Sequence, residues 1–370
     1  MNFCKICVLP DTRPNLVIGE DRICNACKIH NKNFQINWKK REKEFLKIIK
    51  KFKTTNNYDC LIPVSGGKDS TWQVLKLLKY GLKPLAITYK TPGRTKIGEQ
   101  NLKNLKNLGV DHIDFEVNPR VESEFMLQTL KRKGSTSIPM HFAIYNMPLS
   151  IAINLSIPLI IYGENSAKEY GGKEKDSNKK LVDVDWFSKY GATNSTNLNF
   201  WYSKKLKKKD LIIYQRPSEK ILKKNKITPL FLGYFFKYDP IETYKTAKKY
   251  GFKNFQNSKK TGLYDFADID CDFISIHHWL KWNKFGFSRL MDNLSIEIRN
   301  KRISRHEALK IIKKTGNKLP IKDIKKFCSF TEISLNQFFK ISEKFRNKKI
   351  WKKKGNKWFI PDFIEPKFFR

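Results

Sequence analysis

The sequence predicts an α/β fold: a doubly wound parallel sheet with an N-terminal metal-binding module and a helical C-terminal region. Three observations support this. Apolar runs alternate with helix-period segments between residues 59 and 162. The first of those runs opens through Ser65-Gly66-Gly67-Lys68-Asp69-Ser70 into a helix-like stretch. Four cysteines, paired as Cys4-x2-Cys7 and Cys24-x2-Cys27, precede the first strand.

Thiolates two residues apart in a tight turn share one ion, and two such pairs separated by sixteen residues have the spacing of a closed Cys4 zinc site. A redox CxxC and an iron–sulfur cluster are the competing readings. Four protein ligands leave no open coordination position, so a zinc held by Cys4, Cys7, Cys24 and Cys27 is expected to be structural. Residues 1–32 form this module, too short to own a core without the ion. Residues 33–57 connect it onward through a basic amphipathic helix over 38–52 that places Phe45, Ile48, Ile49 and Phe52 on one face.

Residues 58–235 are expected to be the α/β domain. Strands are predicted over 59–64, 84–89, 112–117 and 157–162, with helices over 70–80, 98–108 and 141–155. In such sheets ligands bind at the carboxyl ends of the strands, which brings Ser65, Thr88 and Gly163 toward one crevice. Residues 166–230 are rich in Gly, Lys and Asn and read as a lid over that crevice or as a surface loop. From 236 to 370 the chain is expected to be a helical substrate or partner region. Helices are predicted over 240–250, 272–285, 288–300, 304–315 and 332–346.

The first βα turn carries the chemistry. Gly66 and Gly67 let the backbone approach an anion, Ser65, Ser70 and the first-turn N–H groups supply donors, Lys68 adds charge, and Asp69 suits a magnesium ion on phosphate oxygens. This spacing is not that of the Walker loop. It resembles the PP-loop of ATP pyrophosphatases, a HUP-like fold that splits ATP into AMP and pyrophosphate while adenylylating a carbonyl-type oxygen. Glu164 and Asn165 follow the strand ending at Gly163, where they could contact an amide or steer an amine. His141, near a helix start, could exchange a proton. Arg289, Asp292 and Arg299 lie on one predicted helical segment. Arginine is scarce, 13 of 74 basic residues, so its recurrence at 289, 299, 302 and 305 is suited to a phosphorylated ligand as well as to a solvated face.

Taken in order, the cysteine pairs, the Ser65 to Ser70 turn, Gly98-x2-Asn101-Leu102-x-Asn104-Leu105, Gly109-Val110-Asp111-His112, Ile138-Pro139-Met140-His141, Gly163-Glu164-Asn165, Glu169-Tyr170-Gly171-Gly172 and Lys284-Phe285-Gly286-Phe287-x-Arg289 resemble the N-acetyl sugar amidotransferases. The resemblance spans about residues 3–316. It implies that ATP and magnesium activate the acetamido oxygen of a nucleotide-linked or otherwise activated N-acetyl amino sugar. Ammonia then displaces AMP to leave an acetamidino group for lipopolysaccharide or flagellar-glycan synthesis. It further implies Lys68, Asp69, Glu164, Asn165 and His141 as catalytic groups, and Glu169, Tyr170, Arg289, Asp292 and Arg299 as substrate contacts. No Cys here sits in a glutaminase nucleophile elbow, so ammonia is expected from solution or, as the resemblance implies, from a separate glutaminase with an ammonia-channel subunit.

The net charge of +39 would ordinarily suggest nucleic acid, and a tRNA-modifying PP-loop enzyme is the alternative reading. The excess is mostly Lys and spread along the chain, which favours solvated faces, so nucleic acid is not the expected substrate. No run of about 18 apolar residues is present and Met1 to Lys5 does not begin a secretory signal, so a cytoplasmic location without a membrane span is expected.

Overall fold

The computed structural model describes residues 1–256, 259–361 and 363. The end of the Lys-rich tail, residues 364–370, lies outside the described residues.

Helix α1 (Asn25–Lys32) closes the cysteine module and α2 (Trp38–Lys50) leads to the sheet. There follow β1 (Cys60–Pro63), α3 (Lys68–Lys79), β2 (Pro84–Tyr89), α4 (Lys96–Lys106), β3 (Asp111–Phe115), α5 (Pro119–Lys133), α6 (Ile138–Asn154) and β4 (Leu159–Tyr162). Short helices α7 (Ser166–Tyr170), α8 (Glu174–Ser177), α9 (Val184–Tyr190) and α10 (Glu219–Lys224) precede β5 (Thr228–Phe231) and α11 (Leu232–Phe235). The remainder is helical, α12 (Pro240–Lys249), α13 (Phe273–Phe285), α14 (Arg289–Arg299), α15 (Arg305–Thr315), α16 (Ile321–Phe330) and α17 (Leu335–Glu343), then a small hairpin of β6 (Lys352–Lys354) and β7 (Lys357–Phe359).

The five strands β1 to β5 run parallel in the order β3-β2-β1-β4-β5. The order reverses between β1 and β4, and that switch point is where a doubly wound sheet opens a crevice beyond its strand ends. Central strands covered on both faces read as continuous apolar runs, and the side chains of β1, β2 and β4 are almost all buried.

Strand β5 and helices α5 and α16 were not expected. Pro229 interrupts the β5 pattern, yet β5 is the last strand of the sheet, where a missing N–H is tolerated. Its outer side is met instead by the Leu181 bridge and by the Val182 N–H bonding to the Pro229 carbonyl at 2.9 Å. The segment expected as a lid or loop is neither. It buries Trp186, Trp201, Leu211 and Tyr214 against α6 and the sheet, as part of the largest core.

The cysteine module also lacks an independent core. Cys4, Cys7, Cys24 and Cys27 share one apolar cluster with Phe287, Leu290, Met291 and Leu294 of the α14 region and with Ile312 of α15. A third cluster joins α5 to α13, α16 and α17 through Met126, Leu130, Ile276, Phe327 and Phe338. The two ends of the chain meet in the cysteine cluster, which also takes in Trp351, Ile360 and Phe363, with the Phe3 and Phe363 ring centres 5.6 Å apart. No helix among the described residues is long and apolar enough to cross a membrane.

Candidate active site and metal centre

The turn after β1 is held by its own side chains. Ser70 Oγ accepts from the Ser65 N–H at 2.9 Å, Ser65 Oγ accepts from the Gly67 N–H at 3.3 Å, and Thr71 Oγ1 donates to the Gly67 carbonyl at 3.3 Å. Gly66 has φ +82°, and a Cβ there would lie 2.9 Å from Leu102 Cγ and 3.0 Å from the Leu102 nitrogen. The position requires glycine on both counts. Gly67 caps α3, so the unpaired N–H groups and positive dipole end of that helix face out at Lys68 and Asp69. Buried Lys68 donates to both carboxylate oxygens of Asp69 at 2.6 Å, and Thr243 Oγ1 of α12 donates to Asp69 at 3.1 Å.

A cavity of about 330 Å³ opens beside this turn. Ser65, Gly67, Lys68 and Asp69 line one side, Glu164 and Tyr170 another, and Arg289 closes it from α14. Those seven were anticipated from sequence. Tyr238, Asp268 and Asp270, which also line it, were not. Their sequence signal was faint: Asp268-x-Asp270-x-Asp272 is an alternating acidic run in an otherwise basic chain.

Two carboxylates of the cavity are paired with cations that also line it, Asp69 with Lys68 and Asp268 with Arg289. Burial pushes Glu164 upward, and neighbouring Asp69 adds to that. Burial likewise pushes Asp270 up to about 6, despite a hydrogen bond from Ser65. Burial would raise Asp268 too, but the Arg289 guanidinium, His278 and Thr261 together hold it well below the usual carboxylate range. Carboxyl groups of such different proton affinity in one cleft are the arrangement from which acid and base roles are drawn.

The other anticipated residues fall elsewhere. Thr88 is buried beneath the turn, its hydroxyl bonded to the Val64 carbonyl and His112 Nε2, each at 2.8 Å. The Gly163 carbonyl accepts from the Gly233 N–H at 3.1 Å. The Asn165 amide is occupied: it caps α7 at Ala167, donates to the Asp176 carbonyl and accepts from Trp186 Nε1. His141 Nδ1 lies 2.7 Å from the Ser137 carbonyl, burial pushes its imidazole down to about 4, and only its neighbour Met140 reaches the cavity. Asp292 is an ion-pair partner of Arg13 at 2.7 Å. Glu169 and Arg299 line a separate cavity of about 250 Å³ with His30 and Trp38, where Arg299 donates to the Glu169 carbonyl at 2.7 Å.

The four cysteines do converge. All four are buried and their sulfurs lie within 4.8 Å of one another, with Cys4 to Cys27 at 4.0 Å and Cys7 to Cys24 at 3.7 Å. A tetrahedral zinc with Zn–S bonds of about 2.3 Å places its sulfurs about 3.8 Å apart, so the cage is compatible with that ion. The Cys24 N–H donates to Cys4 Sγ at 3.3 Å, the kind of outer hydrogen bond that orients a thiolate ligand.

No curated protein matches this chain. The solved structure of NMN synthetase from Francisella tularensis aligns with 60% of this chain and 100% of its own at 12% identity, with a TM-score of 0.26. Residues 232–362 match the family model of the WbpG-like LPS biosynthesis protein C-terminal domain, a match that begins at α11 and takes in Tyr238, Asp268, Asp270 and Arg289 of the cavity. The chain's resemblance to the N-acetyl sugar amidotransferases, drawn from its motifs, is supported by this WbpG-like C-terminal region.

Proposed function

We propose that the protein is an ATP-dependent, AMP-forming amidotransferase acting on an activated N-acetyl amino sugar in lipopolysaccharide synthesis. One observation carries this reading: a glycine-rich phosphate turn on the α/β sheet and Arg289 of the WbpG-like region line the same cavity. An enzyme that joins a nucleotide to a second substrate needs both surfaces on one space.

In this reading the turn from Ser65 to Ser70 grips the β- and γ-phosphates of ATP, with the α3 N-terminus and Lys68 facing the charge that develops on departing pyrophosphate. Asp69 would hold a magnesium ion, which neutralises phosphate charge when bound. The acetamido oxygen attacks the α-phosphorus, pyrophosphate leaves, and the oxygen becomes an adenylyl imidate. Ammonia then adds to the imidate carbon and AMP departs, so nitrogen replaces oxygen. Glu164, whose proton affinity is raised by burial and by Asp69, takes the proton that ammonia sheds in this reading. Cys4, Cys7, Cys24 and Cys27 would hold a structural zinc that fastens the N-terminal module to α14.

The test is to incubate the protein with ATP, magnesium, ammonium and a panel of nucleotide-linked N-acetyl sugars. Products are then read by mass for replacement of an amide oxygen by NH, together with AMP. Pyrophosphate release driven by tRNA and by none of the sugars would replace this reading with RNA modification.

A further inference from the structure

A further cavity, of about 280 Å³, shares Tyr170 with the one beside the Ser65 to Ser70 turn. It is walled by the Arg13 to Asn15 loop, by α9 and the turn after it, and by the last two turns of α13. Four cations line it, Arg13, Lys189, Lys281 and Lys284, and no Asp or Glu does so among the described residues.

The four differ in how far they are neutralised. Arg13 is paired with Asp292, and Lys189 with Asp185, each at 2.7 Å. Lys281 has only a carboxylate oxygen of Asp292 at 3.7 Å, beyond hydrogen-bond reach, and Lys284 donates to the Lys133 carbonyl at 3.1 Å. Three residues apart on α13, the two ammonium groups share one helical face. They are held over Phe287 and Phe285 at 4.8 and 5.3 Å from the ring centres. Burial pushes both down to about 8, so each gains charge stability from any anion that enters.

The lining also supplies hydroxyls, from Ser135, Ser166, Ser188, Thr193 and Ser195. Parts of it are strained. Among the described residues ten non-glycines have positive φ, and four of them, Asn15 (65°), Ala192 (53°), Asn194 (53°) and Ser195 (56°), line this one cavity. Left-handed backbone concentrated at one cleft marks a surface shaped for a ligand, since each such residue carries an energetic cost that packing alone would avoid.

We infer that this cavity anchors the phosphate of the acceptor sugar, with Lys281 and Lys284 as its principal cations and the serine and threonine hydroxyls as contacts to phosphate and sugar oxygens. The inference rests on the acceptor being an N-acetyl sugar and adds where its charged end sits. Tyr170 lines both cavities, its hydroxyl accepting from Arg289 at 3.2 Å and its carbonyl from Arg13 at 2.9 Å. A sugar phosphate held at the lysines reaches past Tyr170 toward Glu164 and Asp69. The volume is smaller than pockets that enclose drug-sized ligands, so the nucleoside of a nucleotide-linked sugar would extend into solvent.

The test is calorimetric binding to the full-length, zinc-loaded protein, using N-acetylglucosamine 1-phosphate, UDP-N-acetylglucosamine, unphosphorylated N-acetylglucosamine and α,β-methylene-ATP. We expect both phosphorylated sugars to bind more tightly than the neutral one. Lys281→Met and Lys284→Met should each weaken them by roughly tenfold or more, as for loss of a charge-assisted hydrogen bond, with α,β-methylene-ATP unaffected. A larger loss for the UDP sugar than for the 1-phosphate assigns the lysines to a diphosphate, and equal losses assign them to a single phosphate; either result supports the site. Ser188→Trp, at the exposed rim, fills the cavity without touching a buried charge. It should give the same loss, and it decides the question if a lysine variant does not fold.

Absence of phosphosugar binding, insensitivity to these substitutions, or an equal loss for α,β-methylene-ATP would overturn the assignment. The two readings fail separately. Phosphosugar bound at the lysines with no amidine formed leaves the site standing and removes the amidotransferase, whereas amidine formed with an unchanged KM in the lysine variants does the reverse.

Discussion

Arg289 and Asp268 face each other across the cavity wall, with Arg289 Nε donating to Asp268 Oδ2 at 3.1 Å while the same guanidinium reaches the Tyr170 hydroxyl at 3.2 Å. A guanidinium already neutralised by a largely buried carboxylate has little net charge left to offer a phosphate. Its role in the proposed reaction is to fix Tyr170, which lines both cavities, against Asp268, which lines the first. Removing one member of such a pair typically costs about 3–5 kcal/mol because the other is left uncompensated. Arg289→Ala is therefore expected to lower the unfolding free energy markedly, and Arg289→Ala with Asp268→Ala to recover part of it. In the stable double variant, acceptor KM should rise while ATP KM changes little. A double variant no more stable than the single would remove the pair as the cause.

Asp69→Asn tests the phosphate turn. The side chain is one-third exposed at the mouth of α3 and supports no core, so the fold should survive. AMP formation should fall by at least about two orders of magnitude if the carboxylate holds the metal on the departing phosphates. Quench assays for AMP beside an unchanged far-UV spectrum would check this.

Gly66→Ala probes the same turn through geometry alone. A Cβ at 2.9 Å from Leu102 Cγ, on a residue with φ +82°, must displace α4 or flatten the turn. We expect a loss of about 1–3 kcal/mol in stability and loss of ATP binding. Gly67→Ala meets only Ser65 Oγ at 3.3 Å and should be milder for folding.

Metal removal should act at a distance. The cysteine cluster lies in the same apolar core as Phe287, Leu290 and Met291, so stripping zinc is expected to loosen α14 together with the N-terminal module. Chelation should lower the melting temperature and expose hydrogen exchange over residues 287–299, and added zinc should restore both. Protein that contains no zinc, or that keeps its stability without it, would count against a structural metal.

Glu122 provides a pH signature. It is buried beneath Tyr89 and Tyr214, both of which donate to it, and burial raises it from 4.5 to about 7. The unfolded carboxyl ionises first, so its contribution to stability is full below pH 4.5 and is lost as pH rises to about 7. Glu122→Gln should flatten the pH dependence of the melting temperature in that window.

Much of the fold and part of the site are set by local sequence. The Cys4 spacing, the Ser65 to Ser70 turn and the apolar runs of β1, β2 and β4 are contiguous patterns, because the physics they report acts within one turn, one strand or one capped helix. Ser65, Gly67, Lys68 and Asp69 could be named from sequence for that reason, and Glu164 because it follows a strand end. β5 was hidden by Pro229, which breaks the strand pattern but is tolerated in the middle of this strand because β5 lies at the sheet edge, and edge position is a property of topology. The weakly periodic stretch after α7 hid buried tryptophans because its helices are too short for a 3.6-residue pattern to repeat.

The remainder was decided by tertiary packing. Whether Asn165 or Thr88 faces a ligand depends on partners beyond local sequence, and Trp186 and His112 occupy them instead, while the Ser137 carbonyl one helical turn back holds His141. Asp268, Asp270 and Tyr238 enter the cavity because the chain around α12 packs back beside α3, where Thr243 meets Asp69 from 174 residues away, a pairing that no local periodicity encodes. Sequence by itself determined where a glycine-rich turn and four converging cysteines stand. Only the folded chain decided which distant charges meet there, since burial and Coulomb interaction depend on distance in space.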